Sequence, residues 1–295
     1  MPTACPHRWR RLLWKREKPN WGARKIRERL LRRLPSEVKV PAHSTIHAIL
    51  GRHGLVARVK RSSMEGTPLS AGLRPNALWC TDYKGEFKLG NQRYCYPLTV
   101  TDHASRYLLL CEAMESNQEQ FAFTAFERLF KKRGLPLAIR SDNGVPFASP
   151  NGLFNLSRLS VWWLRLGIRI ERIRPGHPQQ NGRHERMHLT LKKEATRPAG
   201  ANLLQQQAKF DVFLEEFNHE RPHEALGMKC PAEVYTASAT PLSRHRRTAL
   251  PVSRQDRRRH PLRSPLPLSQ KNQLKHLLGR SGRRHQRSRR RLLAR

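Results

Sequence analysis

The spacing of apolar residues predicts a short helical unit near the start of the chain. Apolar residues recur at helical spacing through an Arg- and Lys-rich stretch, and Pro35 ends the run. These residues are Trp21, Ile26, Leu30 and Leu34. A second short helix is predicted from Ser44, whose hydroxyl can cap the first turn, to about Gly51. Residues 1–61 form this first predicted unit, and residues 62–75, rich in Ser, Gly and Pro, form a linker.

After the linker the pattern changes to short segments rich in aromatic and β-branched residues, which predicts a sheet. Three strands are predicted at residues 77–87, 94–101 and 106–113. A helix follows over residues 117–133 and is closed by Gly134. Its apolar stripe comprises Phe121, Ala125, Phe126, Leu129 and Phe130.

An alternation of strands and helices completes the predicted core, which spans residues 76–240 and includes a helical segment near its end. The elements are a strand at 137–140, a helix at 156–166, a strand at 168–173 and a helix at 179–196. Three antiparallel strands followed by helix, strand, helix, strand and helix is the order of an α/β ribonuclease H-like fold with a mixed five-stranded sheet. Residues 241–295 are rich in Arg and Pro and poor in apolar residues, so a disordered basic tail is predicted.

The charge of the chain indicates a polyanionic partner. It has 58 Lys and Arg against 22 Asp and Glu, a formal net charge of +36. Residues 1–62 carry 17 Lys or Arg and 3 acidic residues, and residues 244–295 carry 18 and 1. A nearly balanced centre between two basic ends predicts a core with nucleic-acid-binding appendages, and the two basic helices predict a helix-turn-helix-like unit. Basic ends that are simply solvated are the alternative interpretation.

Export, membrane insertion and zinc binding are not favoured by the sequence. No apolar run approaches the roughly 20 residues that a spanning helix needs, and no signal peptide is recognised, so a cytoplasmic protein is predicted. The five cysteines are scattered without a C-x-x-C pair, which is typical of reduced thiols. His43 and His47 lie four residues apart, but too few further ligands accompany them for a zinc site.

Three acidic residues stand in distinctive local contexts. Asp82 lies in the first predicted strand of the core, Asp142 follows a short strand, and Glu185 lies on a later helix. The turn expected at Asn143-Gly144 would expose the carboxylate of Asp142 at the edge of the sheet. Phosphodiester chemistry uses two hard divalent ions held by carboxylates, so these residues are candidate catalytic residues and ligands for two Mg²⁺ or Mn²⁺ ions. Asp102 is the main competitor and is interpreted as a turn residue.

The same contexts belong to a larger set of motifs that resembles the DDE transposases with a retroviral-type integrase core, in their bacterial insertion-sequence branch. The motifs are Trp79-x-x-Asp82-x-Lys-Gly85, Tyr96-Pro-Leu-Thr-Val-Thr-Asp102, Ser141-Asp-Asn-Gly-x-Pro-Phe147, Arg174-Pro-Gly-His-Pro-Gln-Gln-Asn-Gly-Arg-His-Glu-Arg186 and Asn218-x-x-Arg-Pro-His-x-Ala-Leu-Gly227. The resemblance covers about residues 7–240.

The resemblance implies metal-dependent cleavage at DNA 3′ ends and strand transfer during transposition. It also implies double-stranded DNA as the partner, as transposon ends and target, and a homo-oligomer that holds two ends together. Lys192 lies two helical turns after Glu185 and is a candidate phosphate contact, with Arg183 and Lys193 as further candidates. His177 and His184 are candidates for positioning water.

Two other functions stay open at this point. One is a truncated transposase relic that only binds DNA, because the motif pattern starts late in the expected DNA-binding region and residues 244–295 lack the β-rich pattern of the family. The composition of that tail is also typical of a frame-shifted translation. The other is a general ribonuclease H-type nuclease, which has no need of the first helical unit or of the motif at Asn218.

Overall fold

The computed structural model describes residue 15 and residues 18–56, 69–150 and 152–242. The first half of the predicted linker and nearly all of the predicted basic tail lie outside these residues. Within the described residues, no helix is both long and apolar enough to cross a lipid bilayer. Four of the cysteines, Cys80, Cys95, Cys111 and Cys230, are buried and unpaired, as the sequence predicts, and Cys5 lies outside the described residues.

The first unit consists of helices α1 (Ala23–Arg33) and α2 (His43–Arg52). Apolar residues from both helices and from the preceding segment form its core. They are Trp21, Ile26, Leu30, Ile46, Ile49 and Leu50. The predicted cap at Ser44 is wrong: α2 begins one residue earlier, with Ala42 at the cap position and no side-chain cap. The burial of Ile46, Ile49 and Leu50 decides where α2 lies. A side-chain cap would stabilise the helix by only about 1 kcal/mol, so it does not decide where α2 begins.

The core is built on a mixed sheet of six strands rather than the predicted five. The strands are β1 (Trp79–Tyr83), β2 (Phe87–Lys88), β3 (Tyr94–Asp102), β4 (Leu108–Met114), β5 (Ala138–Ser141) and β6 (Arg169–Arg172). The main strands lie in the order β4-β3-β1-β5-β6, and the extra two-residue strand β2 pairs with the start of β3. The β1–β3 and β3–β4 pairs are antiparallel, whereas β1–β5 and β5–β6 are parallel. This order is that of the predicted ribonuclease H-like fold.

Helices cover both faces of the sheet. On one face, α3 (Glu119–Arg133) and α4 (Arg158–Arg165) pack their aromatic residues against β1 and β3. On the other face lie α5 (Gly182–Glu194) and α6 (Leu203–Glu215), whose apolar residues pack against β3 and β4. Side chains alternate between the faces along a strand, so Trp79 and Leu98 join the first layer while Cys95 and Leu108 join the second.

Two predicted details of the helices differ in the structure. The sequence predicts Phe121 in the buried stripe of α3, but this residue is 40% exposed, and Ala122 takes its place in the core. The burial of the cluster around Phe126 and Phe130 decides how α3 is rotated about its axis, and therefore which residues face the core. The helix predicted from residue 179 begins as a short 3₁₀ segment, Pro178–Asn181, and becomes α-helical only at Gly182.

Ion pairs connect the first helical unit to the segment after α6. Lys18 pairs with Glu216 at 2.5 Å, and Arg29 pairs with Glu220 at 2.8 Å. Arg32 pairs with Glu233 at 2.5 Å. Partly exposed pairs of this kind contribute up to about 1 kcal/mol each. The basic side of α1 therefore faces acidic side chains of the core.

Asn218 forms hydrogen bonds with the backbone of the edge strand β4. It lies in the π-helical turn Glu216–Glu220 that extends α6, and its side chain is fully buried. Its Oδ1 accepts from the Leu108 N–H at 2.8 Å, and its Nδ2 donates to the Leu108 carbonyl at 2.9 Å. These are backbone groups of β4, the edge strand on this side. The Asn218 amide makes the two hydrogen bonds to Leu108 that a neighbouring strand would otherwise make.

We expect Asn218→Ala to lower the free energy of unfolding by about 2 kcal/mol or more, because it leaves the buried N–H and carbonyl of Leu108 without partners. Urea denaturation followed by circular dichroism measures the change. Asn91→Ala is the control: Asn91 is exposed and accepts one bond within its turn, from the Arg93 N–H. Equal effects of the two substitutions would contradict the role assigned to Asn218.

Candidate active site

The pairing of β1 with β5 brings two of the predicted acidic residues level with each other. Cys80 of β1 lies opposite Arg140 of β5 in a parallel register. Asp82 lies two residues after Cys80, within β1, and Asp142 lies two residues after Arg140, directly after the end of β5. Parallel strands run in the same direction, so both carboxylates come to the same edge of the sheet. The predicted positions of Asp82 within a strand and Asp142 at a strand end are confirmed.

Helix α5 brings the third acidic residue to the face of the sheet that carries Asp82. Glu185 lies in the first turn of α5. Single ligand atoms of Asp82, Glu185 and His188 all lie within 4.8 Å of one another. Asp142 is not a member of this close group, but its charge acts on Asp82, as its effect on the pKa below shows. The structure thus gathers all three predicted carboxylates in one region and adds a histidine.

The carboxylate of Asp142 is held by its own turn. The Gly144 N–H donates to Asp142 Oδ1 at 3.1 Å. A Cβ atom at position 144 would lie only 2.9 Å from Oδ2, so a larger residue there would displace the carboxylate from its observed position. Asn143 Nδ2 donates to the Ile173 carbonyl at 2.7 Å, which ties the turn to the segment after β6. The sequence Asn143-Gly144 therefore fixes where the carboxylate points.

Burial and like charge make Asp82 reluctant to ionise. Burial raises its pKa to about 7, with smaller contributions from the charges of Asp142 and Glu185, while Lys84 and the Tyr83 N–H act in the opposite direction. Burial also raises the pKa of Asp142. A divalent cation would relieve this repulsion, and carboxylate oxygens are the ligands that Mg²⁺ and Mn²⁺ prefer. The donor set therefore fits the predicted kind of ion.

Two histidines of α5 are anchored to β3 beneath the carboxylates. Thr99 Oγ1 lies 2.9 Å from His184 Nε2 and 2.7 Å from His188 Nε2, and it donates to the Asp82 carbonyl at 3.0 Å. Thr101 Oγ1 lies 2.7 Å from His184 Nδ1. Burial lowers the pKa of His184 to about 3 and lowers that of His188 well below its usual range, so both rings are neutral. Since both nitrogens of His184 are occupied by threonines, its predicted role in positioning water is wrong.

The predicted basic contacts fall into two groups. Arg183 Nη1 donates to the His103 carbonyl at 3.0 Å and so ties α5 to the loop after β3. Lys192 and Lys193 are exposed in the last turn of α5. His177 is exposed and lies 3.0 Å, at Nδ1, from Gln179 Nε2. Among the described residues, neither of the two lysine side chains forms a hydrogen bond or an ion pair, so both are available to a phosphate.

Asp102 is a structural residue, in agreement with its predicted place in a turn. Its Oδ1 accepts from the Asn76 N–H at 2.7 Å. Its Oδ2 accepts from the Ser105 N–H at 2.8 Å and from the Ser105 hydroxyl at 2.6 Å. The side chain is 1% exposed. These bonds hold the turn between β3 and β4, and they leave Asp102 outside the carboxylate group.

His188 is a residue of the site that is not predicted from the sequence. It lies three residues after Glu185, and side chains three apart on a helix share a face. The spacing Glu-x-x-His was therefore a usable signal, because helical metal sites use the same spacing of carboxylate and imidazole. The motif that contains Glu185 ends at Arg186, so His188 lies outside the residues that carry the resemblance.

Comparison with known families accounts for most of the core. Two family models, both described as Integrase core domain, match residues 72–178 and 166–231. Together they span more than half of the chain and include Asp82, Asp142, Glu185 and His188. Residues 72–231 form an integrase core domain. Its topology, with strand order β4-β3-β1-β5-β6, agrees with this assignment.

Individual relatives of this integrase core include insertion-element proteins. An uncharacterised protein of insertion element IS407 from Burkholderia multivorans is 26% identical over 212 residues, covering 70% of this chain and 71% of that protein. A protein of IS476 from Xanthomonas euvesicatoria is 25% identical over 218 residues, covering 72% of this chain and 60% of that protein. With the family matches, these confirm the predicted resemblance to bacterial insertion-sequence transposases.

Solved structures similar to this integrase core come from retroviruses. The catalytic core of HTLV-2 integrase in complex with magnesium is 18% identical, with a TM-score of 0.44, and the match covers 56% of this chain and 99% of that one. A simian T-cell lymphotropic virus intasome in complex with the PP2A subunit B56 gamma is 17% identical, with a TM-score of 0.49. That match covers 87% of this chain and 79% of the other.

We expect the stability of the metal-free protein to fall as the pH rises from about 4 to about 7. Asp82 binds its proton more tightly in the folded chain, where its pKa is about 7, than in the unfolded chain, where the ordinary value is 3.8. The resulting stabilisation is complete below the unfolded value and is lost as the pH rises through the folded one, by up to about 1.4 kcal/mol per pH unit. Thermal unfolding in a chelating buffer across this range measures it.

The variant Asp82→Asn should remove most of this pH dependence. Asp211→Asn is the matched control, because Asp211 is an exposed carboxylate of α6 that accepts a bond from Gln207. A pH profile of Asp82→Asn that coincides with those of the wild type and the control would contradict the assignment.

Proposed function

We propose that this protein is a transposase that catalyses metal-dependent cleavage at DNA 3′ ends and strand transfer. One observation carries the proposal. The chain has 58 Lys and Arg, yet among the described residues none of them forms an ion pair with Asp82, Asp142 or Glu185. Three half-buried carboxylates that form no direct ion pair with a Lys or Arg of the described residues are an arrangement suited to metal ions.

The three carboxylates would hold the two divalent ions, Mg²⁺ or Mn²⁺. Such ions stabilise the charge that develops on the attacking and leaving oxygens of a phosphodiester. Asp82 is fixed by its place in β1, and Asp142 by its bond from the Gly144 N–H. Glu185 is fixed by α5, which the Thr99 hydroxyl ties to β3 through both histidines. All three ligands therefore rest on regular elements or a bonded turn.

Exposed basic side chains at the end of α5, together with Lys84 after β1, are suited to the phosphates of double-stranded DNA, as transposon ends and target. Lys192 and Lys193 are exposed at the end of α5, and the charge of Lys84 acts on Asp82 from the end of β1. Phosphate contacts of this kind supply most of the sequence-independent affinity for DNA. Joining two ends also requires that they be held together, so we propose a homo-oligomer that acts on DNA in the cytoplasm.

The first helical unit would bind DNA through α2 rather than α1. Basic residues of α1 are engaged with the glutamates that follow α6. The residues His43, Ser44, Thr45 and His47 of α2 are exposed instead. A helix-turn-helix unit reads the major groove with its second helix, so this arrangement supports the predicted role of the unit.

We expect Asp142→Asn to abolish cleavage and strand transfer, by at least about a hundredfold, because the neutral amide is a poor ligand for a hard divalent ion. Binding to DNA should be unchanged or stronger, since a charge that repels phosphate is lost. The assay uses oligonucleotides with the terminal repeats that flank the gene, with Mg²⁺ or Mn²⁺, and Asp211→Asn as control. Joining that persists in Asp142→Asn would remove Asp142 from the site. Absence of joining by the wild type, with DNA binding retained, would favour a DNA-binding relic.

We expect Lys192→Ala to weaken DNA binding without regard to sequence and to reduce the slope of log Kd against log salt concentration by about one, because one phosphate contact is lost. Fluorescence anisotropy with a labelled duplex at several salt concentrations measures both quantities. Lys131→Ala is the control, since Lys131 lies on α3 across the sheet from α5 and pairs with Glu127. Equal slopes for the two variants would rule out a phosphate contact at Lys192.

A further inference from the structure

His188 shares a helix face with a candidate metal ligand. It follows Glu185 by three residues on α5 and is 2% exposed. Ligand atoms of Asp82, Glu185 and His188 lie within 4.8 Å of one another. Two atoms bound at about 2.1 Å to one ion lie roughly 3–4 Å apart, so a small adjustment of these side chains would bring all three to one ion.

The hydrogen bonds of Thr99 decide which nitrogen of His188 is available. A threonine hydroxyl has one proton to donate and two lone pairs that accept. Thr99 Oγ1 donates to the Asp82 carbonyl at 3.0 Å. Its contacts to His184 Nε2 at 2.9 Å and His188 Nε2 at 2.7 Å must therefore be bonds that the two imidazoles donate. His188 carries its proton on Nε2, and its Nδ1 keeps a lone pair.

That lone pair faces the carboxylates. His188 Nδ1 lies 3.9 Å from Asp82 Oδ2, which is beyond hydrogen-bond distance. The ring cannot turn away without breaking the bond from Nε2 to Thr99. An imidazole whose other nitrogen is fixed by a hydrogen bond is the usual form of a histidine metal ligand.

We propose that His188 Nδ1 is a ligand of a divalent transition-metal ion that it holds together with Asp82 and Glu185. This inference rests on the proposed function only in using the same two carboxylates. An imidazole nitrogen favours Mn²⁺, Co²⁺ or Zn²⁺ over Mg²⁺, which prefers oxygen. The affinities of this site for Mn²⁺, Co²⁺ or Zn²⁺ and for Mg²⁺ should therefore differ more than those of a site built from carboxylates alone.

His184 provides a matched control on the same helix. It is as deeply buried as His188, and the two rings lie 4.5 Å apart in an edge-to-face arrangement. Both of its nitrogens are engaged, by Thr99 and by Thr101. His184 therefore has no lone pair to offer an ion, although it contributes to the same anchoring of α5 to β3.

The test is pulsed electron paramagnetic resonance of Mn²⁺ added at one equivalent to the full chain, which detects nitrogen bound to the ion. We expect nitrogen coupling in the wild type and in His184→Gln, and its loss in His188→Gln, which can keep an N–H donor to Thr99. Co²⁺ affinity measured by calorimetry should fall at least about tenfold in His188→Gln, and Mg²⁺ affinity should change by less than about twofold.

The proposal can be tested even if His188→Gln does not fold, because the wild-type protein alone gives a decisive result. In the wild type, replacing the histidine nitrogens with ¹⁵N must change the coupling, and a wild-type spectrum without nitrogen coupling overturns the proposal. Coupling that survives in folded His188→Gln overturns it as well. Strand transfer is assayed separately: His188-dependent coupling without joining would refute the proposed function alone, whereas joining without such coupling would refute only the ligand.

Discussion

The candidate site depends on the contact between the Thr99 hydroxyl and helix α5. That single group bonds to the backbone of Asp82 and to both histidines of the helix. It thereby fixes the height of α5 above the sheet, and with it the position of Glu185. The pairing of Asp82 with Thr99 across β1 and β3 places both side chains on the face that α5 covers. The register of β1 and β3 therefore places Asp82 beneath α5 and Glu185, while the pairing of β1 with β5 brings Asp142 to the same edge of the sheet.

Burial and charge oppose each other at this site. Asp82 is only 18% exposed at its side chain and lies beside two other carboxylates, so the fold alone favours its protonated form. Elsewhere, acidic residues of the chain are neutralised by basic ones: Arg221 pairs with Glu194 at 2.8 Å, and Arg140 pairs with Glu171 at 3.0 Å. A chain so rich in arginine could have done the same at Asp82. Among the described residues no Lys or Arg forms an ion pair with these carboxylates, so their burial and mutual repulsion are a cost in stability that a bound cation would offset.

The sequence predicted those features that depend on local pattern. The ribonuclease H-like fold followed from the succession of elements, and Asp82, Asp142 and Glu185 were found because each stands in its own short motif. Features that depend on a distant partner were not found. Asn218 stood out as part of a motif, but its bonds to Leu108 depend on packing across 110 residues of chain. The exposure of Phe121 likewise depends on which side of α3 meets α4 and the sheet, and periodicity alone does not decide between neighbouring positions.

His184 and His188 illustrate why residue type alone does not assign a role. Both lie on one face of α5, both are buried, and both donate to Thr99. They differ because Thr101 reaches the second nitrogen of His184, while the second nitrogen of His188 lies nearest to Asp82. One helical turn along the axis thus separates a ring enclosed by hydroxyls from a ring that faces carboxylates. The difference arises from alternate residues of β3, and a histidine in this position acquires its chemistry from the strand that it packs against.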